Sequence, residues 1–248
     1  MQYSPLFDSP ENQALLVVCA RKTIRNAAIG GIVWGVLNLF IGYAAIHVTL
    51  LNVGLLALAL LMLGTGIVAL TRPSLNALLA EAVVSTLLLF WNISVAILNS
   101  LAAGSAHFNP HTLIWPAVAA VFLFQRYLKL GHLKESISGM KLETVKEAAG
   151  LCQQLFKSKL KESPNIAEAT SKRCRLRLMA DSVFCAQRNL AHAFHMNRTT
   201  FRECIKDSGK KKIRVVVRHP LGKLTYAFDK KNSDKIRGWL QTSPARIS

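Results

Sequence analysis

The chain has 248 residues, a net charge of +18 and a mean hydropathy of +0.29, and 51% of its residues are hydrophobic. That apolar content is high for a soluble globular protein, and five cysteines without a CxxC pair argue against a secreted scaffold held by disulfides. Residues 1–130 contain six Lys or Arg, whereas residues 131–248 contain 25. An apolar half followed by a basic half predicts a membrane part joined to an aqueous part.

The N-terminal segment, residues 1–25, is predicted to be a cytoplasmic amphipathic helix at the membrane surface. Ser9-Pro10-Glu11 is a typical helix start, with serine as the cap and proline in the first helical position. Arg21, Lys22 and Arg25 then precede the first long apolar run. Because this run has about 22 residues and more apolar runs follow it, we expect an uncleaved anchor instead of a signal peptide.

Four apolar segments approach the roughly 20 residues that a helix needs to cross a bilayer. We predict membrane helices near residues 27–48, 51–70, 73–100 and 112–128, which together form a four-helix transmembrane domain over residues 26–130. Basic residues precede the first helix, separate the second from the third and follow the fourth, and the other two connections contain none. The positive-inside tendency therefore predicts a multi-pass protein with both termini in the cytoplasm.

Two stripes predict where these helices pack. Small residues in the first helix would let a neighbouring helix approach closely. This stripe consists of Gly31, Gly35, Asn38 and Gly42. In the third helix, polar residues fall within about 40° of one direction and should face other helices, because polar groups are costly in hydrocarbon. This second stripe consists of Glu81, Ser85, Asn92 and Asn99.

Glu81 has three interpretations. It lies near enough to the membrane surface to reach the headgroups or to pair with Arg72. It is alternatively paired with a polar group of another helix or subunit. The third interpretation is a proton or ion relay, for which a second buried ionisable group is usually needed and none is visible.

The basic half divides into a connector and a domain. Apolar residues recur at helical spacing over residues 131–164 and predict an amphipathic connector helix. Residues 165–248 are predicted to form a small, basic, cytoplasmic α+β domain. The alternation in residues 172–179 and the β-branched run Ile213–His219 predict strands, with residues 220–223 as a hairpin turn. Residues 183–187 and 190–196 are further strand candidates, and Asn232-Ser233 is expected to cap a final helix.

Short antiparallel strands closed by one C-terminal helix resemble the pleckstrin-homology-like superfold, including its bacterial and GRAM-type versions. The resemblance is carried chiefly by residues 213–240. It implies binding of phosphoinositides, other anionic lipids or protein segments. The basic residues that it implies for this role are Lys210, Lys211, Lys212, Arg214, Arg218 and Lys223. A solvated surface on the inner side of the membrane explains the same residues equally well.

A second resemblance, over residues 190–205, is to a winged helix-turn-helix with the hairpin 213–228 as its wing. Met196 occupies the apolar turn position, but His195 stands where that family usually has glycine. The resemblance implies that DNA is contacted by Arg198, Thr199, Thr200 and Arg202.

No catalytic motif is present: the chain lacks a P-loop, GxGxxG, HExxH and GxSxG. Cys185, His192, His195 and Cys204 would make a zinc set only if the two histidines shared a helix face. We therefore predict no enzyme activity, cofactor or metal. The expected role is an accessory, scaffolding or assembly component of a membrane complex, with anionic lipids and other membrane subunits or a second copy as partners. The alternatives are a membrane-tethered DNA-binding regulator and a small transporter or channel subunit.

Overall fold

The computed structural model describes residues 9–44, 51–103, 111–157, 167–187, 192–207, 212–220 and 222–242. The chain forms two compact units. Residues 21–138 form one of them, called the membrane unit below. Residues 1–20 and 139–248 together form the other, called the terminal unit.

The membrane unit is built mainly from four long helices, the first of which begins in the terminal unit. They are α1 (Pro10–Ala44), α2 (Leu51–Thr71), α3 (Leu75–Ala103) and α4 (His111–Leu130). Helices α1, α2 and α3 are long and apolar enough to cross a membrane. Large apolar side chains such as Phe40, Leu60 and Phe90 lie exposed on them. Lipid, unlike water, is a favourable environment for such side chains.

Helix α1 begins at the predicted start and runs without a break from the predicted N-terminal segment into the first predicted membrane helix. The Ser9 hydroxyl accepts a hydrogen bond from the Asn12 N–H at 3.4 Å. The helix has 35 residues, about 52 Å of length, whereas the hydrocarbon core is about 30 Å thick. Its first part belongs to the terminal unit, where Leu15, Val17 and Cys19 are fully buried. Residues 10–20 of the segment expected at the membrane surface therefore form a largely buried helical part of the terminal unit.

The connector differs from the single helix expected over residues 131–164. A 3-10 turn (Gly131–Leu133) and α5 (Lys134–Gly139) follow α4, and α6 (Leu142–Lys157) comes after a break. The break follows Gly139, the last residue of α5. Glycine weakens a helix because its backbone loses more conformational freedom on ordering than that of other residues. Residues 158–164 of the predicted connector lie outside the described residues.

The terminal unit contains two antiparallel sheets within the part of the chain that the structure describes. The first has the order β1 (Ala167–Thr170), β2 (Cys174–Leu178), β3 (Ser182–Gln187) and β4 (Ala193–Asn197). The second has the order β5 (Ile205–Asp207), β6 (Ile213–His219) and β7 (Gly222–Phe228). Helix α7 (Arg198–Glu203) joins the sheets, and α8 (Lys230–Gln241) follows β7.

The core of the terminal unit lies between the two sheets. Alternate residues of β6 are buried, and the residues between them are exposed or half-buried. The rings of Phe194 in the first sheet and His219 in the second are 6.4 Å apart. Phe194, Phe201 and Phe228 are among the largest fully buried side chains. Burial of apolar side chains from both sheets is what holds such a sandwich together.

Helix α1 also closes the free edge of the first sheet. Strand β4 is an edge strand, and its outward backbone groups need partners because the site is largely buried. The Asn12 side-chain amide donates to the His195 carbonyl at 2.7 Å, and its oxygen accepts the His195 N–H at 2.7 Å. Further along α1, the Cys19 thiol hydrogen-bonds with the backbone of Ala193. Asn12 thus replaces the neighbouring strand that β4 lacks.

The strands predicted near residues 172–179, 183–187, 190–196 and 213–219 are confirmed as β2, β3, β4 and β6. The final helix begins earlier than predicted, because Asp229 caps it and accepts a hydrogen bond from the Asn232 N–H at 2.9 Å. Ser233 is instead fully buried. Its hydroxyl accepts the Ile213 N–H at 2.9 Å and donates to the Phe228 carbonyl at 3.2 Å.

The Asp229 cap makes stability depend on pH. Hydrogen bonds from the backbone N–H and then the side chain of Asn232 hold the pKa of Asp229 below its ordinary value. Its ionised form therefore stabilises the fold above the unfolded-state pKa, and this contribution is lost as the pH falls through the folded-state pKa. We expect Asp229→Asn, which keeps a capping oxygen that does not titrate, to flatten the fall in Tm below about pH 4. An unchanged Tm profile from pH 5 to pH 2 would contradict this.

Candidate functional site

The outer side of the second sheet carries a row of cations. The strand register places Lys206 opposite Arg214, and Arg218 opposite Lys223. All four side chains are exposed, and together they are called the basic face. Like charges placed directly opposite each other in a sheet destabilise it. The basic face is therefore an arrangement that folding alone does not favour.

No acidic side chain lies on the basic face within the described strands. The remaining positions on this side of β6 and β7 are Val216, Thr225 and Ala227. The described ion pairs join Glu168 with Arg175, Glu11 with His195, and Asp234 with Arg237. None of them includes a residue of the basic face. Uncompensated cations on one surface create a positive potential that attracts anionic groups.

The basic face contains half of the basic residues that the sequence singled out. Arg214, Arg218 and Lys223 belong to it, and Lys212 is exposed just before β6. Lys210 and Lys211 lie outside the described residues. Sequence reasoning missed Lys206, because β5 has three residues and is too short to show the alternation of a strand.

Arg198 is a DNA contact in the winged-helix interpretation. In the structure, its side chain forms hydrogen bonds within the terminal unit. Its guanidinium donates to the carbonyls of Trp239 and Thr242 and lies over the Trp239 ring, 4.7 Å from the centroid. A cation at the C-terminal end of α8 also complements the helix dipole. Residues Ala193–Asn197 form β4, where a helix-turn-helix needs its first helix. Neither observation favours a DNA-reading helix at this place.

The histidines of the imagined zinc set point to different surroundings. The His195 ring contacts the Glu11 carboxylate at 3.0 Å, whereas the His192 and His219 rings meet edge to face at 4.7 Å. Among the described residues, no group of three or more His, Cys, Asp or Glu side chains can hold a metal ion. All five cysteines are free thiols, and burial raises the pKa of Cys152 to about 11. At neutral pH that thiol is protonated and a poor nucleophile.

The stripe on α1 contacts the other helices of the membrane unit. Its three glycines are buried and leave no room for a Cβ. A Cβ at Gly31 would overlap the Glu81 carboxyl, and one at Gly35 or Gly42 would lie 2.9 Å from a leucine of α2. Asn38 is also buried and donates to the Trp34 carbonyl at 2.8 Å in its own helix. Close packing of α1 on α2 and α3 therefore depends on these small residues.

The stripe on α3 separates into two parts. Glu81 and Ser85 are fully buried, and Asn92 is half-buried. The side chain of Asn99 lies outside the described residues. Arg72 is exposed, and the described ion pairs do not include it. The structure therefore places Glu81 against Gly31, without an ion pair to Arg72.

No protein-family model, curated protein or solved structure matches this chain. Two features of the fold carry chemistry. One is the basic face, whose four side chains are exposed to solvent. The other is the carboxyl of Glu81, which is enclosed by helices.

Proposed function

We propose that the chain is a non-catalytic integral membrane protein, an accessory or assembly component of a membrane complex, whose terminal unit binds anionic lipid headgroups through the basic face. The observation that carries the proposal is the pair of like-charged cross-strand contacts, Lys206 with Arg214 and Arg218 with Lys223. A surface that is merely solvated gains stability from pairs of opposite charge instead. Each Lys or Arg near an anionic membrane contributes about 1 kcal/mol to binding.

The fold supports this function without establishing it. The pattern behind the resemblance to the pleckstrin-homology-like superfold is antiparallel strands followed by one helix, and the terminal unit has two antiparallel sheets followed by α8. A fold hosts many functions, so the role must follow from the site. The chain also has apolar helices that fit a bilayer, and such helices would hold the terminal unit next to a membrane surface. Anionic lipid headgroups are therefore the anionic ligand that we favour.

We also propose α4 as a fourth membrane span. It has 20 residues, about 30 Å of helix, which matches the hydrocarbon core. Residues 1–20 and 139–248 share one compact unit, and a shared unit requires both segments on the same side of a membrane. Three membrane crossings would leave these two segments on opposite sides of the membrane, whereas four crossings return the chain to the side on which it started. The positive-inside tendency then favours the cytoplasm for the terminal unit.

The test is lipid selectivity of the full chain in a nonionic detergent. Isothermal titration calorimetry with dioctanoyl phosphatidylserine is expected to give at least about tenfold tighter binding than with dioctanoyl phosphatidylcholine, equal to about 1.4 kcal/mol. The preference should shrink as salt rises from about 0.1 to about 1 M, because the Debye length falls from about 10 to about 3 Å. Equal affinities for the two lipids would refute lipid binding by this face.

A further inference from the structure

Glu81 is an acidic side chain in the interior of the membrane unit. It lies about 9 Å along α3 from Leu75, in a helix long and apolar enough to cross a membrane. The side chain is fully buried, and neither carboxyl oxygen has a hydrogen-bond partner among the described residues. The Ser85 hydroxyl, one turn further along α3, is buried in the same way.

No cation neutralises this carboxyl within the described part of the chain. Arg21 donates to the Ile137 carbonyl at 3.1 Å, and Arg126 lies over the Phe122 ring at 4.8 Å. The other cations of α1, α4 and the α2–α3 turn have exposed side chains; these are Lys22, Arg25, Arg72 and Lys129. An ionised carboxylate inside a membrane helix costs about 2.5–3.5 kcal/mol or more. The neutral, protonated form is therefore favoured while the helices stay packed.

A cavity shares Gly31 with this site, and the residues that line it do not include Glu81 or Ser85. Its volume is about 260 Å³, and its wall includes Asn26, Gly31, Trp34 and residues of α4. Gly31 is also the residue against which the Glu81 carboxyl rests. The indole N–H of Trp34 is buried without a partner among the described residues. Most of the residues that line this cavity are apolar or glycine, so it offers water few hydrogen-bond partners.

We propose that Glu81 is a proton-binding site, whose buried carboxyl holds a proton while the helices stay packed and releases it as the pH rises. Gly31 makes the site, because any larger residue there would displace the carboxyl. The inference concerns the membrane unit alone and does not depend on lipid binding by the basic face.

The test is labelling of the full chain, in detergent, with dicyclohexylcarbodiimide. A protonated carboxyl adds across the N=C=N group, its oxygen bonding to carbon and its proton moving to nitrogen. Transfer of the acyl group to nitrogen then leaves a stable N-acylurea, and no atom is lost. Mass spectrometry of peptides should locate this adduct on Glu81. Its yield should fall as the pH rises from about 6 to about 10, because the ionised form does not react.

Three controls keep the result decisive. Glu81→Gln should show no adduct in the peptide from α3, whereas Ser94→Ala, at an exposed position of the same helix, should keep it. A water-soluble carbodiimide with glycine ethyl ester should label Glu81 at least tenfold less, since bulk water does not reach it. Absence of the adduct at every pH, a yield independent of pH, or equal labelling by the water-soluble reagent would each overturn the proposal.

Discussion

Replacing Arg218 and Lys223 together by glutamine is expected to weaken binding of anionic lipid by about 30-fold while raising the Tm of the protein. The loss corresponds to about 1 kcal/mol for each cation removed from the headgroup layer. The gain in stability, about 0.2–1 kcal/mol, comes from removing two like charges that face each other across β6 and β7. Calorimetric titration with dioctanoyl phosphatidylserine and a thermal melt of the same sample measure both quantities.

The matched control is Lys230→Gln with Lys231→Gln. These exposed lysines lie in the first turn of α8, outside the basic face, and the double variant removes the same charge. Cations at a helix N-terminus are unfavourable, so this variant should also be slightly more stable. Its lipid affinity should change less than threefold. If both double variants weakened binding equally, net charge and not the basic face would be responsible, and the proposed function would fail.

The spacing of apolar residues in the sequence predicted most of the helices and strands that have one buried face. Residues Ile213–His219 alternate between buried and exposed positions, so both the strand and its outward cations followed from the pattern. The small residues of α1 were also recognisable, because glycine spaced by four in an apolar helix has a packing role. In both cases the physical cause is local in sequence, which is why the sequence reveals it.

Contacts between distant segments were not predictable in this way. Asn12 and His195 are separated by 183 residues, and nothing near Asn12 in the sequence indicates that it completes the edge of a sheet. The amphipathic pattern at the start of α1 predicted a helix at the membrane surface, whereas the fold buries residues such as Leu15 and Val17 in the terminal unit. Arg198 was assigned to DNA by resemblance, and no pattern near it in the sequence indicates that it lies over the Trp239 ring. Such assignments depend on tertiary packing, for which one sequence has no periodic signal.

Replacing Asn12 by leucine is expected to destabilise the terminal unit by about 2–4 kcal/mol, since the N–H and carbonyl of His195 would each lose a buried partner. Leucine has a similar volume, so the apolar packing of α1 changes little. For a chain of this size, the loss corresponds to a fall in Tm of about 5–15 °C. Hydrogen exchange of peptides from β4, measured by mass spectrometry on the full chain, should accelerate most at His195.

The matched control is Glu11→Gln, one residue away. Glu11 contacts the His195 ring at 3.0 Å, but 51% of its side chain is exposed, so its removal should alter stability by less than about 1 kcal/mol. A large difference between the two variants would show that the amide of Asn12, and not general contact with α1, closes the sheet. If Asn12→Leu left exchange in β4 unchanged, helix α1 would not be part of the terminal unit. Residues 1–20 would then place no constraint on the number of membrane crossings.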